Sequence, residues 1–279
     1  MEGKLMVSVN MITYKHEAYI AQAIEGVLMQ KTNFDYDLII ADDCSTDKTE
    51  EIVSNIIATH PQGHNIKYFR HEKNIGMQAN ALFAFSQCEG KYMAFCEGDD
   101  YWTDPYKLQR QVDFLEKNPS FSMSFHRIDI RYELKNDAFA YRQPKKSTLR
   151  FTDLLYTHMI ATCSLVIRKE FAPVPYPNWI MGLVMGDIPI ELLLVSKGPA
   201  HYFNESMAVY RRHSGGITQN IEQHKRGRKA SLTMYIQLRK ELGVKYFLPL
   251  SLMVWKTYLG YLKDYLNLNR KKVITAKLQ

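Results

Sequence analysis

The sequence predicts an α/β protein with a mostly parallel central sheet flanked by helices and a helical extension at its C-terminal end. Three observations predict it. Strand-like apolar runs alternate with helix-spaced segments three times before a fourth strand, an order that produces a parallel sheet wrapped by helices. The early strands run into polar or acidic loops, and the carboxyl ends of strands are where open α/β sheets bind ligands. From Ile221 onward the composition shifts to 13 Lys/Arg against 3 Asp/Glu, a balance of +10, whereas residues 1–220 carry 23 Lys/Arg and 26 Asp/Glu, a balance of −3. Two regions are therefore expected, 1–220 and 221–279.

The first strand is read over Lys4–Ile12, where apolar residues alternate and run together. Ile20, Ala23, Ile24, Val27 and Leu28 then recur at helix spacing. Tyr36–Ala41 is a second strand ending in Asp42-Asp43-Cys44-Ser45-Thr46-Asp47; Ser45 or Thr46 can cap the next helix, and Asp47 and Glu50 suit its first turn. Ile66–Arg70 is a third strand, and Asn74-Ile75-Gly76 turns into a helix that Glu89-Gly90 ends. Tyr92–Cys96 is the central strand.

Beyond it, Asp104-Pro105 is read as the cap and first turn of a helix that ends at Asn118-Pro119. Ser120–His126 is a strand, 129–148 a loop or β-ribbon, Phe151–His158 a helix and Cys163–Ile167 a strand. Gly186-Asp187 opens a helix through Ser196, and Ala200–Phe203 and Met207–Arg211 are two short strands. His213–Asn220 reads as a loop. From Ile221 the chain reads as two basic helices with a break near Gly243 and a further candidate break at Pro249.

The whole chain has 279 residues, 46% of them hydrophobic, which is ordinary globular composition with room for a sizeable core. Its four cysteines form no Cys-x-x-Cys pair, so zinc and redox motifs are unsupported, and isolated thiols suit a reducing cytoplasm. The N-terminal stretch carries no secretion signal, and no apolar run reaches the ~18 residues of a spanning helix. The expectation is a cytoplasmic protein. Its basic tail could meet the inner face of a membrane, nucleic acid or an acidic partner.

The stretch that decides the function class is Phe95-Cys96-Glu97-Gly98-Asp99-Asp100-Tyr101-Trp102. It sets three carboxylates within four residues at the end of a buried strand. Such crowded charge calls for a counter-ion, and a hard divalent cation with oxygen ligands, bringing substrate phosphates with it, is the natural one. The plain alternative is a solvated acidic turn.

Together with Val9–Glu17, Ile39–Thr46 and Asn74–Asn80, this stretch resembles family-2 glycosyltransferases of the GT-A fold, of the bacterial surface-polysaccharide kind. The resemblance covers roughly residues 4–220. It implies a Rossmann-like GT-A sheet, a divalent metal (Mn²⁺ or Mg²⁺) and inverting transfer of a hexosyl or N-acetylhexosaminyl group from a nucleotide-diphosphate donor. On the residues that match, it implies that Thr13 and Tyr14 lie beside the base, with the Tyr14 ring stacking and Glu17 closing the corner. Asp42 would read the base, which favours UDP before GDP or dTDP. Asn74, Gly76 and Asn80 match the family's Asn-x-Gly…Asn element; Asn80 would bind the nucleotide or the strand-end carboxylates. Ala79 stands where many relatives have Arg, and Arg70 is a candidate substitute.

The family's usual Asp-x-Asp-Asp begins here with Glu97. The resemblance implies Asp99 on the metal and the donor, supported by Glu97 and Asp100. Trp102 reads as a packing anchor under this loop before a sugar platform. In the late segment Tyr210-Arg211-Arg212-His213, His213 would complete the metal shell or touch phosphate and Arg211 would contact the donor. Asp187, at a helix start that keeps a carboxylate ionised, matches the position of the catalytic base. Implied partners are a nucleotide-sugar donor and a glycan or lipid-linked saccharide acceptor; no nucleic acid is expected at the acidic cleft. The competing readings are a sugar-nucleotide nucleotidyltransferase, against which Met11–Glu17 lacks a glycine-rich phosphate loop, and a non-catalytic membrane- or nucleic-acid-binding module built on the tail.

Overall fold

The computed structural model describes residues 5–133, 141–157, 159–173, 175–183, 186–216 and 221–277, with side chains of the last segment described over 228–263. Strands β1 (Val7–Thr13) and β2 (Tyr36–Asp42) are almost wholly buried, which is why both read as near-continuous apolar runs. They pair in parallel with Thr13 opposite Asp42, and β3 (Ile66–Arg70) joins β2 with Arg70 opposite Asp42. Their carboxyl ends therefore finish level. Helices α1 (Ile20–Leu28), α2 (Thr49–Thr59) and α3 (Met77–Gln87) supply the crossovers, α1 burying Ile20, Ala23, Ile24, Val27 and Leu28. The fourth strand, β4 (Tyr92–Phe95), returns to the other side of β1, with Asn10 opposite Phe95. The chain thus reverses direction across the sheet between β1 and β4, where an open α/β sheet forms its ligand crevice.

The second half of the sheet is mixed. It contains β5 (Tyr101–Trp102), β6 (Met123–Tyr132), β7 (Thr148–Leu149), β8 (Val166–Arg168) and β9 (Ala200–Arg212). The strand order is β3-β2-β1-β4-β8-β6-β9-β5, with β7 on β9; β6 and β9 are parallel, and β8 runs antiparallel to β4 and β6. The expected pair of strands after Ala200 is one strand. Register shifts around Arg127 let β9 skip Asn204 and Glu205, so the polar interruption is absorbed as an irregularity rather than a turn. That long strand carries Arg211 and His213 past β5 to the end of β4.

Helix α4 (Lys107–Lys117) starts later than expected. Asp104 Oδ1 accepts from the Tyr106 N–H (2.8 Å), making an Asx-type turn ahead of the helix instead of its cap. Helix α5 (Phe151–Leu155) is shorter than expected, and α6 spans Asp187–Lys197. The expected irregular segment 129–148, the helix end at His158 and the loop at 213–220 lie partly outside the described residues; β6 itself runs on to Tyr132.

Two compact units are distinguished: Met1–Val174 with Ile190–Ser214, and Pro175–Pro189 with Gly215–Gln279. The first holds the whole sheet. The second holds α7 (Ile221–Leu242) and α8 (Phe247–Lys277), with Leu238 and Leu250 fully buried. Gly243 takes φ +61° between the two helices, whereas Pro249 sits in the first turn of α8, where a missing N–H costs nothing, and causes no break.

Candidate active site

Three loops meet at the carboxyl ends of β1, β2 and β4. The loop after β1 is fixed to the loop after β2 by backbone donors: Lys15 N–H to Ser45 Oγ (2.8 Å), His16 N–H to Thr49 Oγ1 (3.1 Å) and Glu17 N–H to Asp47 Oδ2 (3.0 Å). Glu17 returns the contact by accepting the Lys48 N–H at 2.9 Å, so it closes this corner as a loop tie. Tyr14 is 40% exposed, with Lys15 Nζ 5.1 Å from its ring centroid.

The loop after β4 packs directly on this one. Gly98 donates its N–H to Ile12 O, and a Cβ on Gly98 would lie 2.8 Å from Thr13 Oγ1 and 2.9 Å from His16 Nδ1. Glycine is what allows the approach. The result is that Asp99 stands between two imidazoles: His213 Nε2–H donates to its Oδ2 at 3.1 Å, and His16 Nε2 lies 3.9 Å from the same oxygen. Thr13 Oγ1 and His16 Nδ1, 3.2 Å apart, fix the His16 ring, and Tyr19 packs on His213.

The two adjacent carboxylates are driven apart electrostatically. Burial acts to raise the Asp99 carboxyl, but the hydrogen bond from His213 and the charges of His16 and His213 outweigh it and hold Asp99 below the usual carboxylate range. Asp100 is pushed well above that range by burial and by the charges of Asp99 and Glu97. Asp99 is thus the partly exposed group, facing two imidazoles, and Asp100 the buried one behind it. Burial lowers His16, against the pull of Asp99.

The structure places the other expected site residues as follows. Asp100 is buried, and its Oδ1 accepts the Arg211 N–H at 2.9 Å. Arg211 clamps this loop. Its guanidinium is buried against the Tyr101 and Tyr19 rings and donates to the Asp99 carbonyl and to Gln22 Oε1. Asp42 has no exposed surface; Ser45 N–H and Oγ–H donate to Oδ1 and the Tyr68 hydroxyl to Oδ2 (2.7 Å), so it braces the loop after β2. Asn80 is buried; its amide donates to Ala41 O and its oxygen meets His71 Nε2 at 2.9 Å. Arg70 pairs with Glu50 and donates to Ser45 O.

Asn74 and Gly76 build the turn into α3. Asp43 is its anchor, accepting Ile75 N–H (2.6 Å) and Gly76 N–H (3.0 Å), while Asn74 Nδ2 donates to Asp43 O. Gly76 takes φ +89° there, a conformation that strains any residue with a Cβ. Glu97 is partly buried next to Asp99 and interacts with its charge neighbours. Trp102 is the expected anchor: it is buried, and its Nε1–H donates to Cys163 O at 2.8 Å. Asp187 opens α6 and belongs to the second unit, outside the constellation described for the first. Among the described residues no group of three or more His, Cys, Asp or Glu stands ready to enclose a metal ion.

The comparisons with known proteins speak to the same elements. The model of the family described as glycosyl transferase family 2 matches residues 8–172. The chain belongs to glycosyl transferase family 2. Matched residues 8–172 contain every loop of the constellation except the β9 end that brings Arg211 and His213. An uncharacterized protein of Mycobacterium tuberculosis, Rv1520, is 36% identical over 213 residues, covering 76% of this chain and 60% of its own length. The chain therefore spans about 60% of the length of that relative. TuaG of Bacillus subtilis, a glycosyltransferase named for teichuronic acid biosynthesis, is 29% identical over 78% of this chain and 83% of its own.

Among solved structures, Staphylococcus aureus TarS in complex with UDP-GlcNAc aligns with TM-score 0.66 at 16% identity, covering 84% of this chain and 67% of that one. The mannosyltransferase PcManGT of Pyrobaculum calidifontis, in complex with GDP-Man and Mn²⁺, aligns with TM-score 0.62 at 12% identity, covering 85% and 65%. At these identities the likeness is one of fold, and it is the GT-A fold that the family-2 sequence implied.

His16, Tyr19, Tyr68 and His71 are the site residues that sequence reasoning missed. His16 did stand in the stretch already singled out after β1, but no spacing rule links it to Asp99, 83 positions on.

Proposed function

We propose that this protein is an inverting glycosyltransferase that moves a sugar from a nucleotide-diphosphate donor, UDP before GDP or dTDP, to a hydroxyl of a glycan or lipid-linked saccharide. One observation carries the reading. At the point where the sheet reverses, the Asp99 carboxylate stands between two imidazoles, His213 Nε2 at 3.1 Å and His16 Nε2 at 3.9 Å from its Oδ2, while the adjacent Asp100 is buried. A solvated acidic turn would have no such arrangement. The fold likeness to TarS with UDP-GlcNAc and to PcManGT with GDP-Man and Mn²⁺ supports it.

The residues present fit a divalent cation. Asp99 Oδ2 and His213 Nε2 are 3.1 Å apart. Two adjacent ligands of an octahedral ion, each at about 2.1 Å, stand about 3.0 Å apart, and Mg²⁺-like ions take only one or two protein ligands when phosphates complete the shell. Asp99 and His213 would hold Mn²⁺ or Mg²⁺, which when bound supplies positive charge for the oxygens of the departing diphosphate. Arg211 holds the Asp99 backbone in place, and Gly98 lets the loop close on Thr13 and His16. Tyr14 offers its ring to the base. Asp187, at the N-terminus of α6, takes the proton of the acceptor hydroxyl as it attacks. The nucleotide diphosphate leaves from the opposite face, so configuration inverts and no covalent enzyme intermediate is required.

The test is thermal shift against UDP-, GDP- and dTDP-sugars with and without Mn²⁺, followed by product analysis. Stabilisation by one nucleotide class that grows with Mn²⁺, and release of nucleoside diphosphate on turnover, is expected. Indifference to every donor, or release of pyrophosphate as a nucleotidyltransferase would give, overturns the proposal.

A further inference from the structure

Helix α8 leaves an apolar face uncovered. Phe247, Leu248, Leu252, Trp255, Tyr258, Leu259 and Leu262 are all exposed, Leu248 at 79% and Trp255 at 60%. At 100° per residue these seven side chains fall within an arc of about 140°, one broad stripe along the helix. Lys256 and Lys263, both exposed, lie along one margin of it, and Lys245 precedes the helix. Leu250, off the stripe, is fully buried. The helix thus has a packed side and an exposed apolar side, met at its first turn only by Arg239 over the Phe247 ring among the described residues, although no helix of the described residues is long and apolar enough to cross a membrane.

Charge decides between the possible occupants. Residues 242–263 contain no Asp or Glu, and the chain from Ile221 onward carries a balance of +10. A second copy seated on this stripe would set lysine against lysine with no carboxylate in the segment to pair with it. An anionic lipid surface supplies the missing negative charge at the lysine margin and the apolar phase under the stripe. Trp255, Tyr258 and Tyr261 suit the boundary between the two, where amphipathic rings settle.

We infer that α8 is an interfacial membrane helix that lies in the headgroup layer of an anionic bilayer on the face Leu248–Leu252–Trp255–Leu259–Leu262, with Lys256 and Lys263 on the lipid headgroups. The inference rests on the lipid-linked acceptor of the proposed function for its purpose, and not for its physics. Such a helix would bring the enzyme to acceptors that cannot leave the bilayer.

The test is co-sedimentation of the full chain with vesicles of phosphatidylcholine alone and of phosphatidylcholine with phosphatidylglycerol, at low and high salt, alongside the triple variant Leu252→Ser, Trp255→Ser, Leu259→Ser. The parent chain should bind the anionic vesicles and be weakened by salt, and the triple variant should lose at least about tenfold in partitioning. Because these side chains are exposed, the variant should keep the parent's melting temperature and donor-induced thermal shift. No binding by the parent, or equal binding by the variant, overturns the inference. So does a parent that sediments as a dimer in solution while the variant is monomeric, the outcome expected of a second copy. Loss of the donor shift in both chains would instead count against the proposed function and leave the vesicle result to be read by itself.

Discussion

Lys107 is the most exposed weakness of this fold although none of its surface is accessible. It opens α4, its Nζ lies 4.0 Å from the centroid of the Trp102 ring, and no hydrogen-bond partner meets that nitrogen among the described residues. Burial pushes the ammonium down to about 7, against a small opposing pull from the Cys96 and Cys163 thiols. In the unfolded chain the same group titrates near 10.4. The folded state therefore binds fewer protons than the unfolded state between about pH 7 and pH 10.4, and stability contributed by this group rises with pH across that window. Below pH 7 both states carry the charge and the full penalty applies, about 5 kcal/mol at 1.36 kcal/mol per pH unit. The cation–π contact with Trp102 offsets at most about 2 kcal/mol of that while the amine is charged. Lys107→Met keeps the apolar stem and removes the charge, so it should be more stable than the parent by about 3–5 kcal/mol at pH 6 and by only about 2 kcal/mol at pH 9. Urea unfolding of both chains at the two pH values measures the gap. A variant less stable than the parent at pH 6, or a gap that widens toward pH 9, would refute the reasoning.

The remaining predictions concern the site. Asp99→Asn should abolish the Mn²⁺-dependent part of the donor thermal shift while leaving the metal-free melting temperature within about 5 °C of the parent, since Asn still accepts from His213. Gly98→Ala must push a methyl group into Thr13 Oγ1 and His16 Nδ1; the overpacking should cost about 1–3 kcal/mol, read as a lowered melting temperature, and weaken donor binding together with it. Asp187→Asn should abolish transfer yet preserve donor binding in isothermal titration, and near-normal turnover would sink its assignment as the base.

Much of the parallel half was legible because its strands are buried on both faces and its helices on one, so hydrophobic runs and 3.6-residue spacing report them directly. The division between Ala200–Phe203 and Met207–Arg211 misled because Asn204 and Glu205 break the alternation as a turn would, and only pairing with β6 shows that the strand continues. The sequence marked the loops of the site but not what each side chain in them touches. Asp42, Asn80 and Arg211 all belong to the crevice region, but each is turned inward onto a protein partner. A sequence motif marks that a polar residue is required at a position; it does not say whether the requirement comes from a ligand or from the loop that must be braced to receive one.

The sequence by itself determined the α/β class, the family, the loops that converge and the charge contrast between the body and the tail, because each is written in local spacing or composition. The tertiary structure decided which of two neighbouring carboxylates is presented. Asp99 and Asp100 are chemically identical and adjacent, and they are separated only by what long-range packing brings to each: two imidazoles from the β1 loop and the end of β9 for one, an Arg211 backbone N–H and a buried pocket for the other. Ionisation depends on burial and on the charges within a few ångströms; Asp99 and Glu97 act on Asp100 from beside it in the chain, but the imidazoles that act on Asp99 come from positions more than 80 residues away.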